Sequence, residues 1–304
     1  MKANIRFILT AFMLLFLTVG IACGKDNITA GKKKGTEKEQ PGRLRVGSYN
    51  LRMQGADKGE DDWSLRRGRV VRSIIDNDFD VFGVQELTEG AQQELSWDLG
   101  GRYAAIFFSP YSQNGVGGKA QGVFYDKKRF KLLFYRYFWP ADNPDVKQEN
   151  DHRKNNPSKS YIRGGMCMIF KDRASGRKFF FMNSHAPLNR EEHIKYAHVY
   201  VDMEKKYNPE GLPSFFVGDL NARPDHPASV YYREYWSDAA AIYGEEHCTM
   251  NSFITDASKW DPAKRIDYVY YRNIAAPVEY RCNQTLYDGR CASDHFPIWA
   301  DFIF

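Results

Sequence analysis

Four short segments of this chain carry the residue types that hydrolysis of a phosphate ester needs. Gly218-Asp219-Leu220-Asn221, Arg265-Ile266-Asp267-Tyr268 and Ser293-Asp294-His295 follow one another, each beside an apolar run of β type, and Asn183-Ser184-His185 precedes them. Acidic groups can ligate a cation and take a proton from water, and an imidazole can donate to the crowded charge of a phosphate in the transition state.

Each segment also has a plainer use. Asp219 and Asn221 stand two apart, so in extended chain both point to one side. One would orient or deprotonate water while the other donates to a phosphate oxygen; an Asx-rich turn after a strand uses them equally well. Asp267 lies in a strand of alternating character and needs a partner if buried. His295 is one candidate, because Asp267 would fix its tautomer and hold it cationic beside phosphate. Arg265, on the same strand face, is the other. Asp294 and His295 are adjacent side chains of different use, one toward a cation and one toward phosphate, or else a turn before Phe296-Pro297. His185 supplies a second imidazole after Phe179-Phe180-Phe181. Glu86 closes an apolar run from Val81, where a carboxylate suits a hard cation that prefers oxygen, or caps the helix that follows.

These residues, with Asn50, fall at or beside the ends of apolar runs. A strand buried on both faces delivers its last polar residue to the sheet rim, where α/β sheets build their sites. A first strand is read over Leu44–Asn50, a helix from Ser64 to about Asn77, a strand over Asp80–Val84 and a helix over about Glu89–Trp97. Strands then dominate, at Tyr103–Phe108, Gly122–Tyr125, Lys131–Phe138, Gly165–Phe170 and Lys178–Asn183. A helix over Glu191–Lys206 leads to a strand at Ser214–Gly218, and the last strands are read near Arg265–Tyr271, Val278–Tyr280 and Phe296–Ile303. That order predicts an α+β fold of two packed sheets flanked by helices. The long connections Pro140–Ser160 and Pro224–His247 are candidate substrate loops.

The N-terminus reads differently. Lys2 and Arg6 flank the start of an apolar run from Phe7 to Ala22, the pattern of a secretory signal peptide over residues 1–22, and the run is short for a permanent span. Gly20-Ile21-Ala22-Cys23-Gly24 resembles a lipobox, with Gly20 where leucine is usual, so Cys23 is expected to carry lipid; cleavage nearby with a free Cys23 is the alternative. Residues 23–42 hold almost no apolar side chain and read as a flexible tether, and residues 43–304 as one catalytic domain. The expectation is an exported monomer that meets the membrane through a lipid anchor only, or is otherwise periplasmic or secreted.

The formal net charge of +5 invites a nucleic-acid partner, but seven basic and three acidic residues lie in 1–42, leaving 36 basic and 35 acidic residues, a net +1, in 43–304. A nearly neutral domain gives no bulk electrostatic argument for a polyanion. Lys127-Lys128-Arg129 and His152-Arg153-Lys154 are either local basic patches or solvated surface. Cys282 and Cys291 flank a polar turn and either pair or stay free, as an exported protein permits both. Cys167 reads as a buried small hydrophobe, and no Cys/His set has zinc spacing.

Taken in order, Ser48-Tyr49-Asn50-Leu51, Gln85-Glu86, Asn183-Ser184-His185, Gly218-Asp219-Leu220-Asn221, Arg265-Ile266-Asp267-Tyr268 and Ser293-Asp294-His295-Phe296-Pro297 resemble the endonuclease/exonuclease/phosphatase superfamily, which includes DNase I-like nucleases, inositol-phosphate phosphatases and sphingomyelinases. The resemblance spans about Leu44 to Phe304. It implies a four-layer α-β-β-α sandwich, two mixed β-sheets packed face to face with helices outside. It also implies Mg²⁺ or Mn²⁺ at Glu86, with Asn50 and Asp294 nearby. Asp219 would align the attacking water, Asn221 would hold a phosphate oxygen, and His185 and His295 would stabilise the transition state, with Asp267 orienting His295. Arg163 and Asn183 are expected substrate contacts. The family usually reads Asn-Thr-His-Leu where this chain has Asn183-Ser184-His185-Ala186-Pro187, a departure that bears on substrate preference.

The leading expectation is thus a metal-dependent hydrolase of phosphate esters, phosphodiesterase or phosphomonoesterase, acting outside the cytoplasm. A secreted endonuclease on DNA or RNA and an inactive binding protein of the same fold are the alternatives. A membrane-acting sphingomyelinase would need an exposed aromatic hairpin, for which Tyr135-Arg136-Tyr137-Phe138-Trp139 is the candidate and a core strand the simpler account. Ala263-Lys264-Arg265 stands where inositol phosphatases carry Cys-Asp-Arg, which argues against that branch.

Overall fold

The apolar runs pair into two six-stranded sheets in the computed structural model of the chain, which describes residues 42–111, 115, 119–147, 162–187, 190–244 and 247–304. One sheet holds β1 (Arg43–Asn50), β2 (Val81–Leu87), β3 (Tyr103–Phe108), β4 (Ala120–Asp126), β11 (Glu279–Cys282) and β12 (Ile298–Ile303) in the order β11-β12-β1-β2-β4-β3. The other holds β5 (Phe130–Phe138), β6 (Gly165–Asp172), β7 (Lys178–His185), β8 (Ser214–Asp219), β9 (Ser237–Asp238) and β10 (Asp267–Arg272) in the order β5-β6-β7-β8-β10-β9. Both are mixed: β1 runs parallel to β2 and β7 parallel to β8, at matching places, while their other pairings are antiparallel.

Alternation along the strands divides the apolar side chains into layers. Phe179 and Phe181 of β7 face the other sheet and pack with Val46, Val217, Ile298 and Phe302, whereas Phe180 and Met182 face outward. The outward side chains lie under α3 (Arg190–Tyr207) and α4 (Pro227–Tyr235), against Tyr200, Val201 and Tyr232. On the other side α1 (Trp63–Asn77) and α2 (Glu89–Leu99) cover Phe82, Val84 and Phe124 with Val70, Ile74, Leu95 and Leu99. Asp62 caps α1 by accepting from Ser64 N, and Thr88 caps α2 by accepting from Ala91 N, each satisfying one of the orphan donors of a first turn. The four layers are those the sequence implied.

At the sandwich rim where β2 begins and β6 ends, ion pairs join the sheets. Arg129 reaches Asp80 before β2 at 2.8 Å and Asp172 of β6 at 2.9 Å, while Arg45 and Asp301 pair at 2.7 Å within the first sheet. Arg129 is therefore an internal clamp, not part of a free basic patch at 127–129.

Several readings are corrected. Pro224–His247 is not a loop: it contains α4, β9 and a short helix, α5 (Ala239–Tyr243). Arg265 pairs with Asp238 at 2.8 Å, both about 1% exposed, and not with Asp267, because β10 begins only at Asp267 and Arg265 approaches from outside the ladder. Cys282 and Cys291 are free thiols, like Cys167 and Cys248. For Tyr135–Trp139 the simpler strand reading holds: the segment ends edge strand β5 with Phe138 and Trp139 buried, and it is no hairpin. Residues 1–41, with the expected signal peptide, Cys23 and nearly all of the expected tether, lie outside the described residues, as do 148–161 with His152-Arg153-Lys154. Among the described residues no helix is long and apolar enough to cross a membrane.

Candidate active site

The parallel pairs β1–β2 and β7–β8 end at one rim, and β10, antiparallel to β8, starts there. Asn50, His185 and Asp219 are the last residues of β1, β7 and β8, and Asp267 is the first of β10. The ladder sets His185 opposite Asp219 and Asp219 opposite Asp267, so three chemically active residues stand side by side across one sheet. Gly218 permits the close approach: at φ +152°, a Cβ there would lie 2.0 Å from the Ser184 carbonyl oxygen of β7. The loop before β12 adds Asp294 and His295, and His295 is held by a bridge to Met250.

Asp219 is the hub. Its Oδ2 accepts from Asn50 Nδ2 at 2.9 Å and lies 3.3 Å from His185 Nε2 and 3.8 Å from His295 Nε2. Its Oδ1 accepts from Asn221 N at 3.0 Å, and Asn221 in turn donates one side-chain N–H to Ala186 O at 2.9 Å. The second N–H of that amide remains for a substrate oxygen. Burial, then the neighbouring Asp267 carboxylate, push the Asp219 carboxyl up to about 7 against the pull of His295 and Asn50.

The two imidazoles sit in opposite charge states. Burial alone would lower the His295 pKa, but Asp267, Asp294 and Asp219 outweigh it and raise the value well above the ordinary one. His295 Nδ1–H donates to Asp267 Oδ2 at 2.8 Å, which leaves Nε2–H directed toward Asp219. His185 has no carboxylate of that kind behind it. Burial lowers its pKa well below the ordinary value, and Arg163, His295 and Lys119 push the same way. Arg163 Nη1 lies 3.5 Å from His185 Nδ1 and can only donate, so His185 is assigned as the neutral Nε2–H tautomer facing Asp219.

Glu86 reaches the rim through an irregularity of β2. Val84 and Leu87 both face the helices, three apart, and Glu86 between them has φ +65°, a left-handed conformation rare outside glycine. This bulge re-aims the carboxylate, whose Oε2 accepts from Met53 N at 3.2 Å. Burial raises the Asp294 carboxyl; His295 and Arg52 oppose the rise, and Glu86 adds to it. Glu86 and Asp294 with the Asn50 amide supply oxygen donors of the kind that fits a hard divalent cation. Among the described residues Asp219, Asp267 and His295 also form a group that could hold a metal ion, with ligand atoms within 4.8 Å of one another. There, however, the His295–Asp267 hydrogen bond already joins two of the donors, and a cation would have to displace its proton.

Two arginines outside the anticipated set support the rim. Arg52, at φ +55°, forks onto Asp57 and places Nη1 3.5 Å from Asp294 Oδ2, while its backbone N–H donates to Asn50 Oδ1. Arg66 of α1 is fully buried and donates to the carbonyls of Leu51, Arg52 and Ala292, tying the loop after Asn50 to the loop before Asp294. Arg163 is at the rim, against His185. Asn183 is not: its side chain is fully buried between the sheets, donating to Val84 O and Gly122 O and accepting from Gln85 Nε2 at 2.9 Å. It joins the two halves of the sandwich and has no donor left for substrate.

Residues 47–295 match the sequence model of the Endonuclease/Exonuclease/phosphatase family. An endonuclease/exonuclease/phosphatase family protein from Bacteroides thetaiotaomicron has a similar crystal structure, with TM-score 0.76 and 24% identity over 87% of this chain and 99% of that one. A mannosyl-6-phosphatase from the same organism has TM-score 0.74 and 21% identity over 86% of this chain and 100% of its own. TDP2 of D. rerio, complexed with a single-strand DNA product, has TM-score 0.64 and 21% identity over 86% of this chain and 98% of its own. No curated protein sequence matches this chain.

Proposed function

The chain belongs to the endonuclease/exonuclease/phosphatase family, and from that membership we propose that it is a divalent-metal-dependent hydrolase of phosphate esters, exported and held at a membrane by lipid on Cys23, acting as a monomer. The observation that carries the catalytic reading is the convergence of two imidazoles on one carboxylate: His185 Nε2 and His295 Nε2 lie 3.3 Å and 3.8 Å from Asp219 Oδ2.

Asp219 orients the attacking water opposite the leaving oxygen and takes its proton, a task suited by a carboxyl raised toward neutrality. Asn50 and the Asn221 backbone N–H hold that carboxylate in place. His295, kept cationic by Asp267, and His185 donate to the phosphate oxygens as negative charge builds, with Asn221 as a further donor. Mg²⁺ or Mn²⁺ held by Glu86, Asp294 and Asn50 would neutralise charge on the phosphate and leaving group.

The mannosyl-6-phosphatase likeness supports a phosphomonoester, and the TDP2 likeness keeps a phosphodiester or nucleic-acid substrate within reach. A panel of DNA, RNA, nucleotides, sugar phosphates and phospholipids, run with Mg²⁺, Mn²⁺ and EDTA beside Asp219→Ala and His295→Ala, tests the reading. Turnover that survives EDTA, or full activity in both variants, defeats it; no turnover of any ester points to a binding protein of the same fold.

A further inference from the structure

A half-open cleft of about 270 Å³ lies beside Glu86 and His185, where β4 of one sheet approaches the start of β6 in the other. Tyr111, Lys119, Gln121 and Arg163 line it. Its walls are stiff. Gln121 Nε2 donates across the sheets to Gly164 O at 2.8 Å, and Trp139 Nε1 pins Pro110 O at 2.8 Å. Packing behind the wall requires glycine at 164, since a Cβ there would lie 2.3 Å from the buried Phe108 ring.

The cleft is also cationic. Lys119, half-buried just before β4, has its ammonium pushed down by burial and by the nearby charges of Arg163 and Arg52, while Glu86 pulls it back. Lys119 and Arg163 thus line this corner together, and the hydrolysis argued above gives Lys119 no task. A fixed cation in a recess next to a phosphate site meets a second negative charge on the ligand.

We propose that this cleft is a second anion subsite, so that the substrate is a small phosphate ester bearing another phosphate or a carboxylate, held by Lys119 and Arg163 while the scissile phosphate lies at Asp219. The inference rests on the phosphoesterase reading and adds its substrate class. Among the described residues Lys119 and Arg163 are the two cations that line the cleft, which suits a small ester more than a long polyanion. The nearly neutral domain offers no broad field for a polyanion either.

Calorimetric titration in EDTA reads the subsite without turnover. The probes are two matched pairs: glucose 6-phosphate with glucose 1,6-bisphosphate, and glycerol 2-phosphate with 2-phosphoglycerate. In at least one pair the doubly charged member binds about tenfold tighter, the scale of one charge-assisted hydrogen bond. Lys119→Gln removes most of that difference, and Lys119→Arg keeps it. Equal affinities within both pairs, or a difference that Lys119→Gln leaves intact, overturn the proposal. A 5′-phosphorylated dinucleotide that binds as tightly as the bisphosphate, with the same loss in Lys119→Gln, overturns the small-ester assignment. A tenfold difference without turnover of any ester upholds the subsite and removes the hydrolase reading.

Discussion

His295 Nδ1 donates to Asp267 Oδ2 at 2.8 Å inside a site where both side chains are buried. The carboxylate fixes which ring nitrogen is used and keeps the ring charged despite burial. Replacing Asp267 with Asn keeps the shape and removes the charge. The expected result is a fall in kcat of about 10²–10⁴-fold with a smaller change in KM, the scale seen when an imidazole loses its orienting carboxylate. By NMR the His295 pKa should drop toward or below the ordinary histidine value. An unshifted resonance with normal kcat refutes the pairing as a functional device.

Asp219 makes a stability prediction with a definite sign. Its carboxyl is raised in the fold, to about 7, so the folded state binds more protons than the unfolded chain between the usual carboxylate value and neutrality. Stability contributed by this group therefore falls as pH rises through that window and stays low above it. In EDTA, Asp219→Asn should match wild type near pH 4 and exceed its Tm by about 2–4 °C at pH 8, roughly 1 kcal/mol in a domain of this size. A Tm difference that shrinks with rising pH counts against the raised carboxyl.

Removal of the cation should abolish turnover, and Mg²⁺ or Mn²⁺ should restore it. Glu86→Gln keeps the bulge and one oxygen but loses the charge, so metal affinity measured by calorimetry should fall by about 10–100-fold while the Tm in EDTA stays within a few degrees of wild type. Unchanged affinity would move the metal site elsewhere, and the Asp219, Asp267 and His295 group is where to look first.

Arg66 carries no substrate contact, yet it ties two loops of the site together through three carbonyls. Arg66→Ala leaves those carbonyls buried without their donor, at a cost of about 2–4 kcal/mol. Thermal unfolding should show a drop of roughly 5–15 °C, and metal affinity should weaken because Asn50 and Asp294 lose their common anchor. A variant with wild-type Tm and metal affinity shows that the loops hold without it.

Much of this was legible before any coordinates. Long apolar strands such as those at Lys178 and Ser214 announce themselves because both faces are buried, and the polar residue that ends each run marks the rim. What escaped depends on contacts remote in sequence. The two-residue β9 and five-residue α5 are too short to show periodicity. The Arg265 guanidinium goes to Asp238, 27 residues away, instead of the acid two residues on. Asn183 sits in a motif with His185 on the same strand face, but it lies two residues inside the end of β7, so its amide is caught between the sheets while the imidazole reaches the edge. Arg52 was one residue beyond the motif that named Asn50, and only its left-handed backbone brings it to Asp294. The bulge at Glu86 has no sequence signature, since a positive φ at glutamate is imposed by its surroundings.

Strand β12 lies antiparallel to β1, with Arg43 opposite Ile303, and the loop just before β12 supplies Asp294 and His295. Asn50 is among the first residues of the fold to be synthesised, and its partners at the site are among the last. During translation the growing chain thus holds Asn50, His185, Asp219 and Asp267 without Asp294 and His295, and closing the sheet of β1 and β12 and completing the rim are a single late event. A nascent or C-terminally clipped chain is silent, and the first turnover reports that the whole domain has closed.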